Sequence, residues 1–327
     1  MRTLSLVGAL ALALLAPLSA HAAATAGATS TPPRIVTERA LLVWDPARPS
    51  EHLFVTAELE AAEGPVAMVL PTPLVPAVEP LTDDPSPALN RLFATLAAKA
   101  EIEVTEALPK GEAATPRTMP AADAGALGAW LDRNGLAAHP ELADFARSYG
   151  EKAFHYVALR LADAKPDEPR VLPWTAISFV APGPYYPLVT PAASFDERSR
   201  LEIYTLSPEL LALTLGEHFD TGIAAQLTRE EVAAALGESW MRTLGLDEEG
   251  PPSFWLQRFE PMRTAIGKED GVFVRVPAPV KKTVPAEAST LPRNGRRLLI
   301  VLVGAAFSFA IAWLASWEGR ASRRASG

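Results

Sequence analysis

Leu298 to Trp317 is a run of 20 residues without a charged side chain, and no other segment constrains the chain as much. At about 1.5 Å per residue, a helix of that length covers about 30 Å, the thickness of bilayer hydrocarbon. The residues therefore predict a transmembrane helix over 298–317, with Trp313 and Trp317 placed as interfacial aromatics are. A buried core helix is the competing reading, and arginines on both sides of the run argue against it. A second apolar stretch, Leu4–Leu18, follows Met1-Arg2 and ends at Ala20-His21-Ala22, small residues spaced for signal peptidase. This predicts a secretory signal over 1–22, an uncut N-terminal anchor being the alternative. Arginines flank 298–317 on both sides, so the signal sets the orientation: single-pass type I, with the bulk of the chain extracytoplasmic. The expected order is a flexible N-terminus at 23–31, a domain over 32–275, a proline-rich linker at 276–297, the span, and a cytoplasmic tail at 318–327.

Charge and composition narrow the partners. Arg2 and residues 291–327 together carry +6, so 3–290 carries −14 where the whole chain carries −8. An acidic body argues against nucleic acid, which is held by basic surfaces. There is no cysteine, which excludes disulfide scaffolds, zinc ribbons, iron–sulfur clusters and thiol nucleophiles together. Hydrophobic residues at 49% and charged residues at 21% exclude a wholly disordered chain. The extracytoplasmic part, about 245 residues, is long enough to bury a proper core.

The pattern along that part mixes strands and helices. Residues 35–44 and 53–60 read as strands, joined through Asp45-Pro46-Ala47-Arg48-Pro49-Ser50 as a hairpin. Val66–Leu70 reads as a third strand, and Pro71, Pro73, Pro76 and Pro80 predict an extended rim after it. Ser86-Pro87 opens a helix with Leu89, Leu92, Phe93 and Leu96 on one stripe. Residues 101–120 read as a polar, proline-broken connection. Helices are expected at Asp123–Asn134, ending at Gly135, and at Pro140–Tyr149, ending at Gly150. Strands return at Phe154–Leu161, Trp174–Val180 and Leu201–Leu206, and Thr228 with Glu231 forms a capping box for a helix to Gly237. Hairpins rather than regular strand–helix alternation predict α+β, a mixed or antiparallel sheet with packed helices.

No phosphate loop, nucleophile elbow or zinc-binding helix motif occurs in the sequence. His218-Phe219-Asp220 places an imidazole and a carboxylate at strand spacing, but two ligands do not hold a metal, and a solvated turn is the plainer reading. His155 lies between aromatics on an expected strand, with no partner near it in sequence for base catalysis. Asp83-Asp84 and Asp247-Glu248-Glu249 lack the spacing of a calcium loop. No metal site and no cofactor are expected. Pro182-Gly183-Pro184-Tyr185-Tyr186-Pro187 is different: a proline-fixed backbone presenting Tyr185 and Tyr186, with Trp174 nearby in sequence, is a candidate aromatic ligand surface. Tyrosines capping the core are its competing reading.

Several segments taken in order resemble the DUF2330 family of bacterial exported and membrane-anchored proteins. They are Glu38–Asp45, Gly64–Pro73, Ala153–Leu159, Leu172–Phe179 and Pro184–Leu188. The likeness spans about residues 34–210. Many members begin the mature chain with a short cysteine-containing motif, which this chain lacks. The resemblance implies export and anchoring and no reaction. Leu291-Pro292-Arg293-Asn294-Gly295 also resembles a sortase sorting signal, with Asn294 where threonine is usual. The expected function is a membrane-anchored extracytoplasmic binding or assembly module with an envelope protein or cell-wall partner. The alternative is a hydrolase of envelope material working through carboxylates that one sequence does not pair.

Overall fold

Stretches in which both strand faces are apolar become central strands. The computed structural model describes residues 23–277 except 80, 82, 105, 110, 121–123, 165–168, 189–190, 197, 216–217, 245, 247–249 and 262–269. All of them belong to the first of two units, Met1–Ala278 and Pro279–Gly327. The signal at 1–22, the linker from 278, the span at 298–317, the sorting-like pentapeptide, the tail and Asp247–Glu249 lie outside the described residues. Among the described residues no helix is long and apolar enough to cross a membrane.

In chain order the elements are β1 (Ala24–Ala26), β2 (Ile35–Asp45), β3 (Arg48–Leu59), β4 (Gly64–Thr72), β5 (Ala77–Glu79), α1 (Ser86–Ala100), β6 (Ala114–Pro120), α2 (Ala124–Arg133) and α3 (Pro140–Glu151). There follow β7 (His155–Ala164), β8 (Arg170–Val180), β9 (Tyr185–Tyr186), β10 (Arg200–Ser207), β11 (Leu211–Leu215), β12 (His218–Asp220) and β13 (Ile223–Thr228). The last are α4 (Arg229–Leu236), α5 (Glu238–Thr243), β14 (Ser253–Phe259) and β15 (Gly271–Arg275). The large sheet runs β13-β14-β10-β2-β3-β8-β5, and only its β10–β2 pair is parallel. A second sheet, β1-β4-β7-β6, and a third, β12-β11-β15-β9, are antiparallel throughout. The class is α+β.

Alternation along each strand explains the layering. Leu42, Leu53, Val55, Met68, Leu70, Val157 and Leu159 share one core, in which the two longer sheets meet. Leu41, Val43 and Phe54, on the other face of the large sheet, pack with Leu89, Leu92 and Phe93 of α1 and Val232 of α4. Val69, Tyr156 and Ala158, on the other face of the second sheet, pack with Leu127 and Trp130 of α2 and Phe145 of α3. The order is helices, sheet, sheet, helices.

The local chemistry departs from the sequence expectation at identifiable points. Residues 24–26, expected to be flexible, form a buried strand on β4, because Thr25 bonds to Pro33 nearby and, far away in sequence, to Ser194 and to His139, which donates to its carbonyl. The proline-broken stretch holds edge strand β6, where Pro116 and Pro120 lose nothing by lacking an N–H. Ser86 does not cap α1: the N-cap position is Pro85, without a side-chain cap bond, and Asp84 Oδ1 accepts from the Ser86 N–H at 2.9 Å. His139 caps α3, its Nδ1 accepting from the Leu142 N–H at 3.3 Å. Residues 211–275 contribute five strands, where the sequence offers strand spacing only at His218–Asp220 and a solvated turn is its plainer reading. The Thr228–Glu231 capping box stands as expected.

Strands buried on both faces must satisfy their polar groups internally. Arg39 on β2 donates through Nε to Glu202 on β10 at 2.7 Å, both side chains sealed from solvent. On the opposite face of β2, Glu38 accepts from the Tyr186 hydroxyl at 2.5 Å, and its other oxygen has no partner among the described residues. Burial pushes the Glu38 carboxyl up from 4.5 to about 7, against the opposing effect of the Tyr186 bond. The folded state therefore keeps this proton to about pH 7, while the unfolded chain releases it near 4.5. Stability from Glu38 is complete below pH 4.5 and is lost as pH rises through 7, by about 3 kcal/mol. Glu38→Gln keeps the acceptor for Tyr186 and removes the loss. Urea unfolding should find the variant more stable than wild type by about 3 kcal/mol at pH 8, with the advantage gone at pH 4.

Candidate functional site

A cleft of about 500 Å³ opens where two edge strands, β5 of the large sheet and β6 of the second, face each other across the seam. Its walls come from β5, the entry to α1, β6 and the first half of β8. The floor depends on an irregularity in β8. Val55 pairs with Thr175 and Ala57 with Leu172, so Pro173 and Trp174 together oppose Thr56 alone. The extra residue is a β-bulge, and it reverses the alternation. Leu172 enters the core between the sheets, whereas Trp174 packs on the helix side with its ring 6.3 Å from Phe93. Local bonds hold the bulge: Thr56 Oγ1 donates to the Leu172 carbonyl at 2.7 Å and Thr175 Oγ1 to that of Pro173 at 3.1 Å.

Gly111 closes the floor. A Cβ on it would lie 2.3 Å from the Pro173 Cα, a contact that only glycine permits. The next residue fastens this approach, since the Glu112 N–H donates to the Val171 carbonyl at 2.9 Å. Its carboxylate receives Nε and Nη2 of the fully buried Arg170, each at 3.0 Å. Arg170 also donates to the Gly64 carbonyl at 3.1 Å, so one guanidinium ties β8 of the large sheet to β4 of the second at the base of the cleft.

Three carboxylates line the opening. Asp84 accepts from the backbone N–H and the hydroxyl of Ser86 at the start of α1. Glu79 lies 3.7 Å from His52, whose imidazole burial pushes down while the Glu79 charge pulls it up. Asp83 is exposed and has no hydrogen bond or ion pair among the described residues. An indole face beside exposed carboxylates attracts a cationic group by the ring quadrupole and by charge together.

The three aromatics named from sequence do not meet. Trp174 lines the cleft, and neither tyrosine does. Tyr186 is fully buried on Glu38. Tyr185 sits edge-on to Phe154 at 5.6 Å, and its backbone N–H donates to the buried Glu51 carboxyl at 2.7 Å. Burial pushes both phenols up, with the neighbouring acids adding to it. Near them Asp270 accepts from the Tyr149 hydroxyl and from the Leu188 N–H, and Lys152 reaches it at 2.8 Å. This group braces α3 against the segment entering β15. Among the described residues no three His, Asp or Glu side chains gather as metal ligands. His155 opens β7 half-buried opposite Thr72 and Pro120. Asp220 turns back on the Gly222 N–H at 2.8 Å, and the His218 side chain lies outside the description. The sequence marked Trp174 and Asp83-Asp84 separately; nothing local marked Gly111, Glu112 or Arg170 as parts of one site.

No family model matches the chain, and no curated protein matches it. Among solved structures, baculovirus P35 is similar at 8% identity over 60% of this chain and 75% of that one, with a TM-score of 0.36.

Gly111→Ala drives a methyl group into strand backbone that has no room to move. We expect about 1–3 kcal/mol of destabilisation in denaturant unfolding, the range for overpacking. Gly128→Ala, whose Cβ meets nothing within 4 Å, should be neutral or slightly stabilising in the same measurement.

Proposed function

We propose that this chain is an extracytoplasmic binding module, tethered by Leu298–Trp317 and similar to the DUF2330 family, whose cleft takes a positively charged group of an envelope partner. The observation that carries the reading is the bulge-displaced Trp174 beside Asp83 and Glu79 in an open cleft at the seam of the sandwich. The signal-like 1–22 and the uncharged 298–317 support the placement. The distribution of acids favours binding over hydrolysis. Glu38 and Glu51, which burial holds protonated well above the usual carboxylate range, are sealed in the core and do not line the cleft. The acids that line it are exposed or half-exposed.

Calorimetric titration of the full-length protein in detergent with pentalysine tests the site. Saturable binding that weakens at 0.5 M salt, and at least tenfold in Asp83→Asn and in Trp174→Ala, is the expected result. Absence of saturation, or variants that bind as wild type does, would overturn it. The tether is tested on its own. Full-length protein should stay with membranes through alkaline wash, and intact mass should run from Ala23 to Gly327. A C-terminus at Asn294 with loss from the membrane would instead indicate sorting to the wall.

A further inference from the structure

A second groove lies on the far side of the second sheet, between β6 and α2, with a volume of about 320 Å³. Its helix wall is made by Gly125, Ala126, Ala129 and Arg133, spaced to share one face of α2. The first three are small, and that is why a groove exists there at all. Its strand wall is Arg117 and Met119, which alternate onto the same face of β6. Register fixes which face. Arg117 stands opposite Ala158 and Met119 opposite Tyr156, and Tyr156 and Ala158 belong to the core under α2 and α3. Met119 is buried and forms the apolar base. Arg117 and Arg133 rise from opposite walls, both exposed.

Neither guanidinium forms an ion pair or hydrogen bond among the described residues. Several other arginines of this acidic domain are engaged, though not all of them: Arg34 by Glu60 and Asp196, Arg39 by Glu202, Arg147 by Asp144, Arg170 by Glu112, Arg275 by Glu209. Two uncommitted cations facing one groove, in a body of net charge −14, are the reverse of what non-specific surface charge would place there.

We infer that the β6–α2 groove is an anion site for a phosphate group carried on a small organic body, with Arg117 and Arg133 as its two clamps. A single guanidinium fork saturates both oxygens of a carboxylate, so two arginines on separate walls suit a tetrahedral anion with oxygens to share between them. The apolar base and small helix face leave room for an attached carbon skeleton. The skeleton is either that of a free phosphomonoester or the glycerol of a phospholipid headgroup, and the phosphate chemistry is common to both. The inference is independent of the cationic cleft, which shares β6 with the groove but is lined by different residues of it, Ala114 and Pro116.

The test uses full-length protein in neutral detergent, at constant ionic strength, titrated with inorganic phosphate, glycerol 1-phosphate, monomeric dihexanoyl phosphatidylglycerol and acetate. Glycerol 1-phosphate or the lipid should bind saturably and at least tenfold more tightly than acetate, and raise the thermal midpoint. Tighter binding of glycerol 1-phosphate assigns a soluble phosphomonoester, and tighter binding of the lipid assigns a headgroup. Arg117→Ala and Arg133→Ala should each weaken binding at least tenfold, and Arg133→Glu should abolish it. Both side chains are exposed, so the thermal midpoint without ligand should stay at the wild-type value; Arg117→Lys, retaining charge but not the fork, should bind with intermediate affinity. Equal binding of acetate, no saturation with any phosphate, or folded variants that bind as wild type does would overturn the assignment.

Discussion

The β2–β3 hairpin is covered by apolar layers on both faces, and most of the structure follows from that constraint. Ala40, Leu42, Leu53 and Val55 face the core between the sheets, while Leu41, Val43 and Phe54 face the helices. A strand pair with no solvated face leaves every polar side chain on it to be satisfied by the protein. Arg39 is met by Glu202 across the parallel β10 pairing, Thr56 by the Leu172 carbonyl, Glu38 by Tyr186 and Glu51 by the Tyr185 N–H. Each partner lies over a hundred residues away in sequence. These bonds fix how β8, β9 and β10 sit against the hairpin, and they do so at a cost: burial pushes the Glu38 and Glu51 carboxyls up, because an ionised carboxylate there is a desolvated charge.

Both proposed sites lie where the sandwich is not closed. Closing two sheets on one core leaves edges, and proteins blunt edges with short strands, proline and bulges. Here β5 has three residues, β6 contains Pro116 and Pro120, and β8 bulges at Pro173-Trp174. The same devices that prevent further strand pairing open the cleft and turn Trp174 into it. Arg170 and Glu112 hold the seam at its base, and the Gly111–Pro173 approach keeps it from spreading. The β6–α2 groove has a similar origin on the outer face, where glycine and alanine on the helix meet an edge strand bearing arginine.

How much could be read in advance varied with the kind of signal. Helix α3 announced itself through Leu142, Phe145 and Tyr149, and α4 through a capping box, because both signals act within one or two turns. Strands β2 and β3 were legible from alternation and a turn-rich connection. Strands β1, β6 and β11–β15 were not: they are short, or polar on one side, or proline-bearing, and they are strands only because a neighbour offers them a ladder. The aromatic pair Tyr185-Tyr186 read either as a ligand surface on a proline-fixed backbone or as tyrosines capping the core. Which way the rings point was settled by Glu38, Phe154 and the β9–β15 pairing.

The sequence by itself determined what depends on near neighbours: helices with a stripe and a cap, hairpin strands with a period of two, an α+β class, and an acidic body without thiol chemistry. Tertiary structure alone decided which charges are buried, that Trp174 parts from the tyrosines, and that Asp83, Gly111 and Trp174 border one cleft while Arg117 and Arg133 border another groove. The physical reason is range. Propensity, capping and alternation are settled within a few residues, whereas desolvation, cross-strand pairing and the meeting of two arginines depend on segments that become neighbours only when the sheets close.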